Sequence, residues 1–286
     1  MPVLLNRSKF LVDTKWFSKN YQKNALVIID ASWHLPSSNR NAFAEFEAQH
    51  IPGAVFFDHD AIVDPDSLLP HALPSESQFS KAVSDLGVNN DRTVVVYDTG
   101  GLHAAARTWW MFKVFGHKKV FILDGGLQKW MADGYPTESG AAQSAPRHFK
   151  ATIDHMALRS ADDLIHNLTS QNETIVDARG ADRFYGRVAE PREGLKSGHI
   201  PNSVNLPFGN LYNADDTLKS KDELTTLFKE AGVTFDKPII TTCGSGITAA
   251  SLVLALHVMG KREVSLYDGS WSEWGGLGAE APVETE

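Results

Sequence analysis

The 286-residue chain contains a single cysteine, so it can form neither an intramolecular disulfide nor a multi-thiolate zinc site, and that thiol is left either to pack or to react. It has no excess of positive charge. Its 27 Lys and Arg stand against 35 Asp and Glu, a net charge of −8, which disfavours nucleic acid as a partner and requires any anionic substrate to be met by locally placed arginines. No stretch approaches the ~18 uninterrupted apolar residues of a membrane span, so no membrane partner is expected. Residues 1–21 are broken by charges throughout, unlike a secretory signal, and the expectation is a cytoplasmic protein. What the chain does have is a globular balance, 42% hydrophobic and 22% charged, with length for two domains of ~100–150 residues each.

Self-similarity divides the chain. Residues 26–32 (LVIIDAS) return at 174–180 (TIVDARG), which pairs Asp30 with Asp177. The HIPGAV segment from His50 returns as HIPNSV from His199. TVVVYD at 93–98 corresponds to PIITTC at 238–243, and VFILDGGLQKW at 120–130 to VSLYDGSWSEW at 264–274. Four blocks recur in order at a nearly constant offset of 144–149 residues, which predicts two copies of one domain. Recurring apolar strands alone would not reproduce the shared HIP and DG(x)4W patterns.

The expected boundaries are 1–135 for the first domain, 136–150 for a surface linker rich in small and turn-forming residues, and 151–286 for the second domain. Within each copy, short β-branched runs alternate with helical stretches at 77–86, 104–115, 220–231 and 248–259. That alternation predicts an α/β fold, each copy a mainly parallel sheet with helices on both faces. Ligands in such sheets gather at the carboxyl ends of strands, where Cys243 falls in the second copy.

Around Cys243 the chain reads strand, loop, helix: Ile239-Ile240-Thr241-Thr242, then Cys243-Gly244-Ser245-Gly246-Ile247-Thr248, then an apolar helix. Two glycines let several backbone N–H groups converge on one small anion cradle. A helix N-terminus beside the sulfur favours thiolate over thiol. For an isolated cysteine packing is the safer reading; here the loop argues for reactivity. Asp98 occupies the corresponding place in the first copy, which therefore lacks a sulfur nucleophile.

At these residues the chain resembles the tandem-domain rhodanese-like sulfurtransferases, over nearly its whole length. The HIPGA and DGG(x)3W blocks look like the family's domain signatures. CGSGIT is similar to the CGSG(V/I)T loop of the branch that takes sulfur from 3-mercaptopyruvate, whereas the thiosulfate branch typically has a basic CRKGVT loop. Thiosulfate is a compact dianion best held by cations, and Gly244 and Ser245 supply only dipoles.

The resemblance implies a persulfide on Cys243, with the 244–248 loop residues Gly244, Gly246, Ile247 and Thr248 facing substrate. It also implies that Arg183 and Arg192, in DARGADRFYGRVAEPREG, contact substrate; paired guanidiniums suit the carboxylate and keto oxygen of an α-keto acid. Read without the family, the same arginines would be surface partners of Glu190 and Glu193. Arg179 and Arg187 are second choices. Ser245, His71 and Asp60 align with the family's proposed Ser, His, Asp relay, although alone His71 reads as a loop histidine and Asp60 as a turn residue. By sequence position that relay joins the first copy to the second. No metal or organic cofactor is implied. The sulfur acceptor would be a small thiol, cyanide or a thioredoxin-like dithiol protein.

Asp30, Asp124, Asp177 and Asp268 are expected to fix turns, and Trp130 and Trp274 to pack. His50 and His199 belong to the HIP turn. Three other functions stay open: a thiosulfate:cyanide sulfurtransferase using the same cysteine, a C(x)5R cysteine phosphatase, and a non-catalytic sulfur-carrier or protein-binding module. The phosphatase needs an arginine where Ala249 stands.

Overall fold

The computed structural model describes residues 9–23, 25–35, 38–140 and 144–285. The chain forms two compact units. The first comprises Met1–Pro65, Leu73–Ile153 and Tyr212–Leu218, and the second Asp66–Ala72, Asp154–Leu211 and Lys219–Glu286. Each copy thus gives one short segment to the other's unit, an exchange that sequence order does not show. His71, in the first copy by sequence, belongs to the second unit.

In the first unit five strands, β1 (Leu11–Val12), β2 (Leu26–Asp30), β3 (Ala54–Phe56), β4 (Thr93–Tyr97) and β5 (Val120–Leu123), form one sheet ordered β1-β5-β4-β2-β3. Every pairing is parallel. The helices between them are α1 (Thr14–Ser18), α2 (Ala42–Ala48), α3 (Glu76–Asp85), α4 (His103–Val114) and α5 (Gly126–Ala132).

The second unit repeats the plan with β6 (Leu158–Arg159), β7 (Thr174–Asp177), β8 (Val204–Asn205), β9 (Ile239–Thr242) and β10 (Val264–Tyr267), ordered β6-β10-β9-β7-β8 and again parallel throughout. Its helices are α6 (Ala161–Ser170), α7 (Ala181–Phe184), α8 (Lys221–Glu230), α9 (Ala249–Met259) and α10 (Ser270–Trp274).

Burial follows from the connections. Parallel strands need crossover helices, so the central strands are covered on both faces and run apolar without alternation, as β2 and β4 do. α3, α6 and α8 are amphipathic and begin in capping boxes, at Ser75 with Gln78, Ser160 with Asp163, and Ser220 with Glu223. α9 is apolar all round and buried from Ala249 to Leu256. It ends at Gly260, whose φ of 104° supports the left-handed turn that takes up the last carbonyls.

The two copies match in detail. His50 stacks on Phe46 and its Nδ1 lies 2.7 Å from the Phe46 carbonyl oxygen; His199 stacks on Phe184 at 2.9 Å from that residue's carbonyl oxygen. Trp130 and Trp274 are buried and donate through Nε1 to Pro136 and Pro282. The packing expected of both tryptophans is what the structure shows.

Described residues within the expected linker make specific contacts. Glu138 bridges to His50, and Arg147, Phe149 and Lys150 hydrogen-bond through their backbone amides to Ser84 and Asn90, with Phe149 buried.

The loop after β4 has a feature that composition does not reveal. Asp98 is buried, and its carboxylate accepts four backbone N–H groups: Gly100 and Leu102 on Oδ1 at 3.1 and 3.0 Å, Ala104 and Ala105 on Oδ2 at 3.0 and 2.9 Å. The anion cradle of the first copy is filled by the chain's own anion. Removing it strands four donors. Asp98→Ala should therefore cost about 2–4 kcal/mol in the first unit, with added formate restoring part of the loss. Thermal unfolding with and without formate checks this, and an unchanged midpoint would contradict it.

Asp30 and Asp177 are equivalent, yet their environments differ. Asp177 pairs with Arg179, whereas Asp30 has Ser32 in the arginine's place. Burial pushes the Asp30 carboxyl up from 3.8 to about 6. The folded state then binds this proton more tightly than the unfolded chain, so the contribution to stability is full below pH 3.8 and lost as pH rises through about 6. Asp30→Asn should stabilise the protein at pH 8 by about 1–3 kcal/mol and have almost no effect at pH 4. Denaturant titrations at the two pH values measure the difference.

Candidate active site

β9 ends at Thr242, and the chain turns through Cys243 to Thr248 before entering α9. Gly246 has φ 81°, a left-handed conformation that a side chain would strain, and this bends the loop back toward the helix N-terminus. Cys243 is 2% exposed. Its N–H donates to Ser270 Oγ at 3.2 Å, and Ser270 Oγ donates to the Tyr267 carbonyl at 2.8 Å. The Trp271 N–H donates to the Cys243 carbonyl at 2.9 Å, as Leu127 does to Asp98 at 3.0 Å in the first unit. Ser272 closes on the Gly244 carbonyl through both N–H and hydroxyl. The start of α10 thus fastens the cysteine's backbone. Ser270 adopts φ 51°, which costs roughly 1–2 kcal/mol in a residue bearing a Cβ.

Two side chains approach the loop from outside it. His71 is buried, with Nδ1 3.0 Å from Ser245 Oγ, itself buried two residues after the cysteine. His71 also has φ 59°, an uncommon conformation for a residue that is not glycine. Arg183, in α7, lies over Gly244: a Cβ there would stand 3.2 Å from Nη2 and 3.6 Å from Nη1. Glycine at 244 gives the guanidinium its room.

Arg183 donates from Nε and Nη2 to Glu190 at 3.1 and 2.5 Å. Glu190 accepts as well from Arg179 Nη1 at 2.9 Å. Arg179 is buried, forked onto Asp177, bonded to the Gly198 carbonyl, and stacked 4.1 Å from the Trp271 ring centroid. Burial opposes the charge of Arg179, but Asp177, Glu190 and the cysteine hold its pKa above the ordinary arginine value. Burial and the Arg183 guanidinium together lower Arg192, while Cys243 and Glu190 pull it the other way. Charge interactions therefore tie Arg183, Arg192 and Cys243 into one neighbourhood.

The second unit brings together Cys243, Gly244, Ser245, Gly246, Arg183, Arg192 and His71. Ile247 is buried, and Thr248 is the residue from which α9 starts. Asp60 lies in the first unit, exposed, where Oδ1 accepts from Trp33 Nε1 at 3.1 Å. Arg187 stacks on the exposed flank of Tyr185, 4.7 Å from its ring centroid. Sequence reasoning took Glu190 for a surface partner and did not single out Ser270. No pattern marks a buried glutamate, whereas the shared DG block does mark position 270 as part of the loop's support. Among the described residues no group of three or more His, Cys, Asp or Glu side chains converges as a metal site requires, and no helix is long and apolar enough to cross a membrane.

A cysteine at a strand end, in a glycine-containing loop before a buried helix, inside a duplicated five-stranded parallel sheet, defines the class as an α/β protein with a candidate site at that loop. The comparisons give the family. The rhodanese-like domain model matches residues 13–133 and again 160–277, and the chain belongs to the rhodanese family. A Mus musculus 3-mercaptopyruvate sulfurtransferase is 43% identical over 92% of this chain and 91% of its own. A Rattus norvegicus thiosulfate sulfurtransferase is 41% identical over the same shares. The crystal structure of SseA from Escherichia coli, described as a 3-mercaptopyruvate sulfotransferase, superposes with a TM-score of 0.85 at 42% identity, covering 92% of this chain and 99% of that one.

Proposed function

We propose that the protein is a sulfurtransferase that moves sulfur from 3-mercaptopyruvate to a thiol acceptor through a Cys243 persulfide. The observation that carries the choice of donor is the Arg183 guanidinium over an uncharged Gly244, a permanently charged planar fork beside the nucleophile in a loop that itself bears no cation. Relatives carrying mercaptopyruvate and thiosulfate names are almost equally similar overall, so the loop discriminates where identity does not.

In this reading Arg183 and Arg192 hold the carboxylate and keto oxygen of the donor. The Cys243 thiolate attacks the donor's thiol sulfur. An S–S bond forms, the C–S bond breaks, and its electron pair leaves with pyruvate as the enolate, which the keto-side cations stabilise. The thiol proton must leave and the enolate carbon must gain one. Ser245, bonded to His71, stands two residues from the sulfur and is suited to relay them. Backbone N–H groups of the loop then hold the outer sulfur, as the equivalent N–H groups of the first copy hold the Asp98 carboxylate. A small thiol, cyanide or a dithiol protein such as a thioredoxin takes the sulfur away. The expected cytoplasmic location belongs to the same proposal.

Incubation with 3-mercaptopyruvate should add one sulfur by intact mass and release pyruvate, and Cys243→Ser should do neither. Thiosulfate should give a lower kcat/KM than 3-mercaptopyruvate; the reverse order would assign the protein to thiosulfate chemistry instead. His71→Ala should slow single-turnover persulfide formation by about 10²-fold or more while the fold is kept. The family resemblance adds Asp60 as a third member, which Asp60→Ala tests separately. Unchanged single-turnover rates in both variants would remove the relay from the mechanism.

A further inference from the structure

We infer that Glu190 is a positioning residue, whose buried carboxylate fixes the Arg183 guanidinium over the Cys243 loop and so governs how tightly an α-keto acid donor is held. The inference rests on the reading of Arg183 as a substrate contact.

The Glu190 side chain is 1% exposed, although the residue sits in a surface-running segment. Its two oxygens divide the work. Oε2 takes Arg183 Nη2, while Oε1 takes both Arg183 Nε and Arg179 Nη1. The fork consumes the Nε–Nη2 edge of Arg183 and leaves Nη1 outside it, and Nη1 and Nη2 are the atoms nearest Gly244. A guanidinium held along one edge presents the other in a fixed plane, as two-point recognition of a carboxylate requires.

A carboxylate is an awkward neighbour for an anionic substrate unless its charge is matched. Here Asp177 and Glu190 are balanced by Arg179 and Arg183, and Arg192 is the surplus cation near the sulfur. Burial above all, and then the like charge of Arg183, lowers Arg192, so Arg183 needs an anchor to stay beside it. Arg179 is immobile between Asp177, the Gly198 carbonyl and Trp271. The Arg183 side chain is 27% exposed, and Glu190 is the hydrogen-bond partner the structure gives it. Without that carboxylate, repulsion and side-chain entropy would both turn Arg183 toward solvent.

The test uses the full-length protein, with 3-mercaptopyruvate as one donor and inorganic polysulfide, which has no carboxylate, as the other. Glu190→Gln should raise KM for 3-mercaptopyruvate roughly 10–100-fold, leave kcat within about threefold and leave polysulfide loading of Cys243 unchanged. Glu190→Asp, which keeps the charge, should recover part of the KM, and it carries the same comparison if the glutamine variant does not fold. Arg183→Ala and the Arg183→Ala, Glu190→Gln double variant should share one KM, because removing the anchor of an absent group changes nothing. A normal KM in both Glu190 variants beside a raised KM in Arg183→Ala overturns the positioning role. Equal loss with both donors also overturns it, since the glutamate would then support the loop as a whole. A normal KM in Arg183→Ala removes the substrate reading of that arginine itself, a distinct failure.

Discussion

The turn that follows the central strand of the first sheet aims four backbone N–H groups at one carboxylate, and such a cluster requires an anion. The sheet topology produces it: a parallel strand must hand over to a buried helix, and the loop between them presents helix-initiating donors that no carbonyl can reach. The first copy meets the demand internally with the Asp98 carboxylate, held by four N–H groups. The second copy places Cys243 at the equivalent position, and in the proposed function its sulfur, once it carries a second one, becomes the anion. The difference between a structural loop and a reactive one is thus whether the chain supplies its own ligand.

Charge is deployed with similar economy around the second loop. The chain carries a net charge of −8, yet the cysteine is bordered by arginines. A buried guanidinium is tolerable only when paired and fully hydrogen-bonded, and Arg179 has Asp177, a backbone carbonyl and an aromatic face; the half-buried Arg183 has Glu190. The first copy shows what happens to such a site without its cation. Asp30 keeps the carboxylate that Asp177 uses, Ser32 replaces the arginine, and the acid is driven toward its neutral form by burial alone as the largest cause.

Much of this could be read from the sequence. The duplication was visible because the HIP and DG blocks serve turn geometry that tolerates few residue types, and the strands and main helices followed from apolar runs and periodicity. The cysteine loop announced itself through Gly244 and Gly246. What escaped was whatever depended on placement in three dimensions. The resemblance set His71 beside Ser245, but only the fold shows that its segment Asp66–Ala72 belongs to the second unit. Residues 136–150 have linker composition, yet the backbone amides of Arg147, Phe149 and Lys150 are engaged by Ser84 and Asn90. Glu190 looks like any exposed glutamate until the fold closes over it.

That last case shows why a paired charge is ambiguous in sequence. A glutamate a few residues from an arginine predicts an ion pair, and the pair is present, so the plain reading of Arg183 as a salt-bridge partner was correct as far as it went. The same arginine also lies over Gly244. A guanidinium has two usable edges, and a fork onto one carboxylate leaves the second free to meet another. Structural pairing and substrate binding are therefore not competing explanations of Arg183. In the proposed reading the first is the condition under which the second becomes geometrically defined.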